Sequence, residues 1–110
     1  MLTLKNEPSL KDFQKYVVEL EDERGFAHQN AKDKCLLLGE EVGELFKAVR
    51  KEEGMAIDSS STVGDIGDEI ADVFIYLCSI ANRYNIDIEE AFLAKENKNK
   101  NRKWSISKDR

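Results

Sequence analysis

Apolar residues recur at helical intervals along most of this chain, and the recurrences break at only a few places. Leu10, Phe13, Val17 and Leu20 fall three or four residues apart, the spacing of one helix face. Ser9 is placed to cap that helix, with Asp12 as a weaker version of the capping box, and Gly25 is placed to stop it. A second helix is expected from about Asn30 to Lys51, with Cys35, Leu38, Val42, Leu45, Phe46 and Val49 on one side. The stretch EEGMAIDSSSTVGD that follows has no period and is rich in Gly and Ser, so a mobile loop is expected there. A third helix covers about Ile66 to Tyr84, and its middle, ADVFIYLCSIA, is apolar nearly all the way round. Such a helix is expected to be buried on both sides. Asn85 can end it, and Asp87 with Glu90 reads as the capping box of a fourth helix through about Lys103. The tail SISKDR is expected to fray.

These elements predict an all-α fold, a four-helix bundle forming a single domain over residues 1–110 with its packed part at about 10–104. A chain of 110 residues rarely covers one of its own helices completely, so a homo-oligomer, dimer or tetramer, is expected. One proline and six glycines are too few to break the chain into many short strands. With 41% apolar residues it also holds too much hydrophobic material to stay disordered.

The second and third helices contain the same nine-residue pattern, displaced by 28 positions. Leu38-Gly39-Glu40-Glu41-Val42-Gly43-Glu44-Leu45-Phe46 parallels Ile66-Gly67-Asp68-Glu69-Ile70-Ala71-Asp72-Val73-Phe74, acids included. Each copy places two acids at i and i+3, on one helix face. At about 100° per residue, Glu41 projects among Leu37, Leu38, Leu45 and Ala48, and Glu69 among Ile66, Val73, Tyr76 and Ile80. Glu44 and Asp72 sit at the margins of the same stripes. Burying ionised carboxylates without a counter-charge costs several kcal/mol each or forces them to take up protons.

Something positive must therefore meet Glu41, Glu44, Glu69 and Asp72. An ion-pair network is one answer, with Lys34, about two turns before Glu41, as a partner. A hard divalent cation is the other, and an all-oxygen set suits magnesium or manganese. Zinc is disfavoured, because the cysteines face elsewhere and His28 is the one imidazole. A di-iron site of the ferritin type needs Glu-x-x-His pairs, which are missing. Cys35 and Cys78 lie inside helical patterns and are expected to be buried, reduced thiols.

The net charge of −5 argues against binding a nucleic-acid polymer or an anionic membrane. Yet Lys95, Lys98, Lys100, Arg102 and Lys103 crowd one end of the fourth helix. Ile88 and Phe92 begin an apolar stripe that Lys95, Asn99 and Arg102 continue, so its far end is expected to face something anionic; a solvated basic tail is the plainer alternative. Phosphates bind metal ions, Lys and Arg together. The opening MLTLKNEPSL has no apolar run of signal-peptide length and no segment approaches a membrane span, which makes the cytoplasm the expected compartment.

Taken together, these residues resemble the MazG-like, all-α nucleoside triphosphate pyrophosphohydrolases. That family's pattern is EExxE, a spacer, then ExxD; here it reads Glu40-Glu41-Val42-Gly43-Glu44, 24 intervening residues, then Glu69-Ile70-Ala71-Asp72. A downstream K-x-x-x-N-x-x-R element matches Lys95, Asn99 and Arg102. The resemblance implies Mg2+-dependent hydrolysis of a nucleoside triphosphate between its α- and β-phosphates, with Mn2+ as a substitute. It implies Glu41, Glu44, Glu69 and Asp72 as metal ligands and Lys95, Asn99 and Arg102 as phosphate contacts. Glu40 becomes the extra acid, on a second metal or as the base that orients water alongside Glu41. Within Arg24–Asn30, Phe26 can stack on a base and His28 can bond to it, although a core or interface role suits Phe26 as well and an exposed surface position suits His28. Trp104 is open in the same way, with packing of the fourth helix against a partner subunit as one of its roles. The alternative function is a non-catalytic helical dimer that binds nucleotide or protein.

Overall fold

A computed structural model describes residues 2–105 of the chain. Every described regular element is a helix: α1 (Leu10–Arg24), α2 (Ala31–Glu52), α3 (Ile66–Arg83) and α4 (Ile88–Lys100). The helix starts follow the capping residues. Ser9 accepts from the Asp12 amide while Asp12 accepts from the Ser9 amide, and Asn30 and Asp33 repeat the reciprocal arrangement at α2. Asp65 and Asp87 cap α3 and α4 with their carboxylates. Each cap satisfies amides that lack an intrahelical partner. Gly25 ends α1 at φ 79° and Asn85 turns the chain after α3 at φ 54°, a region that Gly and Asn tolerate.

α3 packs against both α1 and α2, and α4 packs against α1. Val17, Leu20 and Cys78 form the buried centre, with Phe13, Tyr16, Phe74, Ile75 and Ile88 against it. Phe13 and Phe74 meet edge to face, 5.5 Å between ring centres, the favoured aromatic geometry. Beside this centre one buried amide joins three elements. Gln14 Nε2 donates to Asn82 Oδ1 (3.1 Å) and to the Ile86 carbonyl (2.8 Å), and its Oε1 accepts from the Ile88 amide (2.9 Å). Gln14 thereby holds α1 to the turn from which α4 starts.

Several expectations change. α4 ends at Lys100, leaving Arg102 and Lys103 beyond it, and buries no residue. The all-round burial expected of α3 is not met within one chain, because α1 and α2, its main covering elements, leave part of its surface open. Ile70 is 54% exposed and Leu77 45%. The inner face of α2 is also rotated from the stripe read along it. Lys34 and Ala48 are the buried positions, while Phe46 is 63% exposed and Cys35 is open to solvent. Of the two thiols only Cys78 is buried, and burial pushes it up to about 11. Among the described residues no helix is long and apolar enough to cross a membrane. The tail from residue 106 onward lies outside the described residues.

Candidate metal centre

The two copies of the repeated pattern bring their acids together because α2 and α3 pack along the faces that carry them. Glu41, from the first copy, meets Glu69 and Asp72, from the second. One oxygen from each lies within 4.8 Å of the others. Glu69 is only 9% exposed, and its Oε2 is buried with no hydrogen-bond partner among the described residues. Burial raises the affinity of the Glu41 carboxyl for its proton, and Asp72, Glu69, Glu44 and Glu40 raise it further, in that order. The Tyr76 phenol is pushed up by burial and then by Glu41 and Asp72, which places it beside the same charge.

Three carboxylates that repel one another, one with a stranded buried oxygen, make a poor structural cluster and a fitting oxygen cage for a hard divalent cation. Glu44 stands outside the trio, 3.7 Å from Lys47 on its own helix, and acts on Glu41 through its charge. Glu40 is exposed at the rim and contributes the weakest of those repulsions.

Lys34 does not neutralise this cluster. Its ammonium is buried 3.1 Å from Glu21 Oε2, on α1. Arg83 holds the same carboxylate from α3, with Nη1 to Oε1 at 3.0 Å and Nη2 to Oε2 at 2.8 Å, and the Ser79 hydroxyl donates to Oε2 at 3.0 Å. Burial works to raise the Glu21 carboxyl, but Arg83, Lys34 and Ser79 outweigh it and hold it below the usual range. Arg83 Nε also donates to the Gln29 carbonyl at 2.7 Å, tying down the α1–α2 connection. The Lys34 ammonium lies 5.3 Å from the centre of the Phe26 ring and 5.5 Å from that of Tyr76. Phe26 is thus fixed over a cation, and a cavity of about 130 Å³ reaches from Phe26 and Lys34 past Tyr76 to Asp72.

The sequence offered no signal for the Glu21–Arg83 pair, whose members lie 62 positions apart. His28 is exposed on the same connection. On α4, Lys95 is exposed, and neither it nor Arg102 makes an ion pair among the described residues. Asn99 keeps a buried Oδ1 without a partner among the described residues, while its carbonyl accepts from the Trp104 indole at 3.4 Å. Trp104 is 74% exposed and lies under the Arg102 guanidinium at 5.2 Å.

Known proteins share this fold and sequence pattern. The chain is 28% identical to the Bacillus-conserved MazG protein, a nucleotide pyrophosphohydrolase, with a TM-score of 0.70 over 96% of this chain and all (100%) of that one. iMazG from Vibrio DAT 722 is 27% identical, with a TM-score of 0.61 over 86% of this chain and 99% of the other. By sequence, dCTP pyrophosphatase 1 of Bos taurus is 32% identical over 102 residues, 88% of this chain. The chain spans 60% of the length of that curated relative. The family model of the MazG nucleotide pyrophosphohydrolase domain matches residues 29–106, a span that holds both acid motifs and the cationic helix. The chain belongs to the MazG nucleotide pyrophosphohydrolase family.

Proposed function

We propose that this protein is a Mg2+-dependent nucleoside triphosphate pyrophosphohydrolase, releasing a nucleoside monophosphate and pyrophosphate. The observation that carries the reading is the Glu41–Glu69–Asp72 trio, with Glu69 buried and one of its oxygens unpartnered among the described residues. Glu41, Glu69 and Asp72 would hold the ion, and Glu44 would join them by leaving Lys47, an exposed pairing that costs little to break. Bound there, Mg2+ or Mn2+ offsets charge on the triphosphate and lowers the pKa of coordinated water. Glu40 takes the proton of the attacking water. The water oxygen bonds to one phosphorus of the α–β anhydride, and the bridging oxygen leaves with the other phosphate.

Lys95, Asn99 and Arg102 supply positive charge and a polar contact for the phosphate chain. Phe26, fixed over Lys34 at the mouth of the cavity that ends at Asp72, offers the base a face to stack on, and His28 on the same connection can bond to it. A cytoplasmic location, where free nucleotides are found, is part of the same proposal.

A second copy of the chain belongs to this reading. Ile70 and Leu77 on α3 and Phe92 and Leu93 on α4, the last two 66% and 61% exposed, leave apolar surface uncovered. The radius of gyration is 17.6 Å, against about 13 Å for a compact chain of this size. Both observations fit helices that finish packing against a partner.

Purified protein with 5 mM Mg2+ or Mn2+ (roughly saturating for a carboxylate site) and a panel of ribo- and deoxynucleoside triphosphates, dCTP among them, releases pyrophosphate. Tight nucleotide binding without product would favour the non-catalytic dimer instead. The ion also stabilises the fold by mass action. At a hundredfold excess over Kd the melting temperature rises on the order of 10 °C, and a melt unmoved by Mg2+ and Mn2+ would count against a formed site.

A further inference from the structure

We propose that Gly64 is a positioning residue for Glu69, kept free of a side chain so that the Glu69 carboxylate stays in the trio. The proposal rests on the trio being a metal site. A Cβ at position 64 would collide with Glu69 Oε1 and would stand 3.1 Å from Cδ and 3.6 Å from Cγ. The demand is for space rather than backbone freedom, because Gly25 and Gly54 are the glycines at positive φ and Gly64 is not among them.

The loop has little room to retreat. The next residue, Asp65, caps α3, its carboxylate accepting from the Asp68 amide, and its carbonyl accepts from the Glu69 amide at 3.0 Å. The free end of the Glu69 side chain is therefore what yields. It can do so by rotating about its own bonds, a small cost compared with shifting a capped helix. The fold survives and the ligand moves: Glu69 swings away from Glu41 and Asp72. Every other contact described for the trio stays in place.

The test is Gly64→Ala, alone and in a Glu69→Asp background, where the carboxylate is withdrawn by one methylene. Three readouts are needed: Mn2+ affinity by calorimetry, pyrophosphate release, and melting without metal. Gly64→Ala alone weakens Mn2+ binding about tenfold or more, as loss of a support to a ligand typically does, and lowers pyrophosphate release with it. Its metal-free melting temperature stays within about 4 °C of the wild type, equivalent to roughly 1 kcal/mol or less. In the Glu69→Asp background the same alanine costs less than about threefold, because coupled residues do not add.

Equal losses in the two backgrounds would overturn the proposal, as would wild-type Mn2+ affinity in the single variant. So would a metal-free melt lowered by more than about 10 °C, since the role would then be structural. Absence of Mn2+ binding by the wild type would remove the metal reading together with this one, and is told apart by being seen before any substitution is made.

Discussion

Glu41→Gln cuts pyrophosphate release by about a thousandfold and, in metal-free buffer, raises the melting temperature. The two effects share one cause. Glu41 is partly buried and faces Asp72, Glu69, Glu44 and Glu40, all of which oppose its ionisation. An amide of the same shape ends that opposition and stabilises the empty protein by on the order of 1 kcal/mol, as when a strained functional site is relieved. The same amide carries no charge for a cation. Losing a ligand to an ion that supplies several kcal/mol of charge stabilisation corresponds to about three decades in rate. The wild type's rise in melting temperature with Mg2+ should shrink along with the activity. Full activity in Glu41→Gln would show that this carboxylate is not a ligand; a metal-free melt below the wild type's would show that the trio does not repel.

Glu21→Gln acts in the opposite sense, costing about 3–5 kcal/mol of stability. Glu21 is 5% exposed and serves Lys34, Arg83 and Ser79 at once. Its neutralisation leaves Lys34, itself 3% exposed, as a buried charge without its counter-ion. In urea the midpoint falls by roughly 1–3 M at a typical slope for a small domain. The control, Glu23→Gln on the exposed side of α1, changes the unfolding free energy by less than about 0.5 kcal/mol. The pH dependence follows from the sign of the shift. Glu21 is held below its ordinary value of 4.5 in the folded protein. Its contribution is therefore complete above the unfolded value and is lost as pH falls through the folded one. Stability of Glu21→Gln should fall less steeply than the wild type's across that acid range, and equal slopes would remove Glu21 from the account.

The contrast between these carboxylates shows what the sequence could and could not tell. Helix starts were legible because a cap is local: Ser9 with Asp12, or Asp87 before Glu90, act across three residues. The acid repeat was legible because i, i+3 spacing decides a shared face, and the apolar neighbours of Glu41 and Glu69 say which way the face points. The inner face of α2 lies part of a turn away from the stripe its apolar residues trace. Its apolar stripe is broad, and periodicity does not decide which edge meets α3; Lys34 lies inside while Phe46 and Cys35 lie outside. The partner of Lys34 was unreadable for a further reason. Glu41 is near it in sequence, but Glu21 reaches it from another helix, and no local rule ranks a tertiary contact. Phe26, a base-stacking candidate through the family resemblance of its segment, acquires a definite place only through the Lys34 ammonium beneath it.

The Gln14 amide carries a consequence for the cationic helix. Two donations and one acceptance, to Asn82, Ile86 and Ile88, leave that planar group no second orientation. A glutamate of the same shape could keep the acceptance but would set oxygen against oxygen at both donations. One of the three bonds, from the Ile88 amide, fixes the first turn of α4 to α1, and the other two hold the end of α3 and the turn between them. Since no residue of α4 is fully buried and Ile88 is what it sets against the core, the aim of the helix depends on that turn, and the reach of Lys95 and Asn99 on a residue near the other end of the chain.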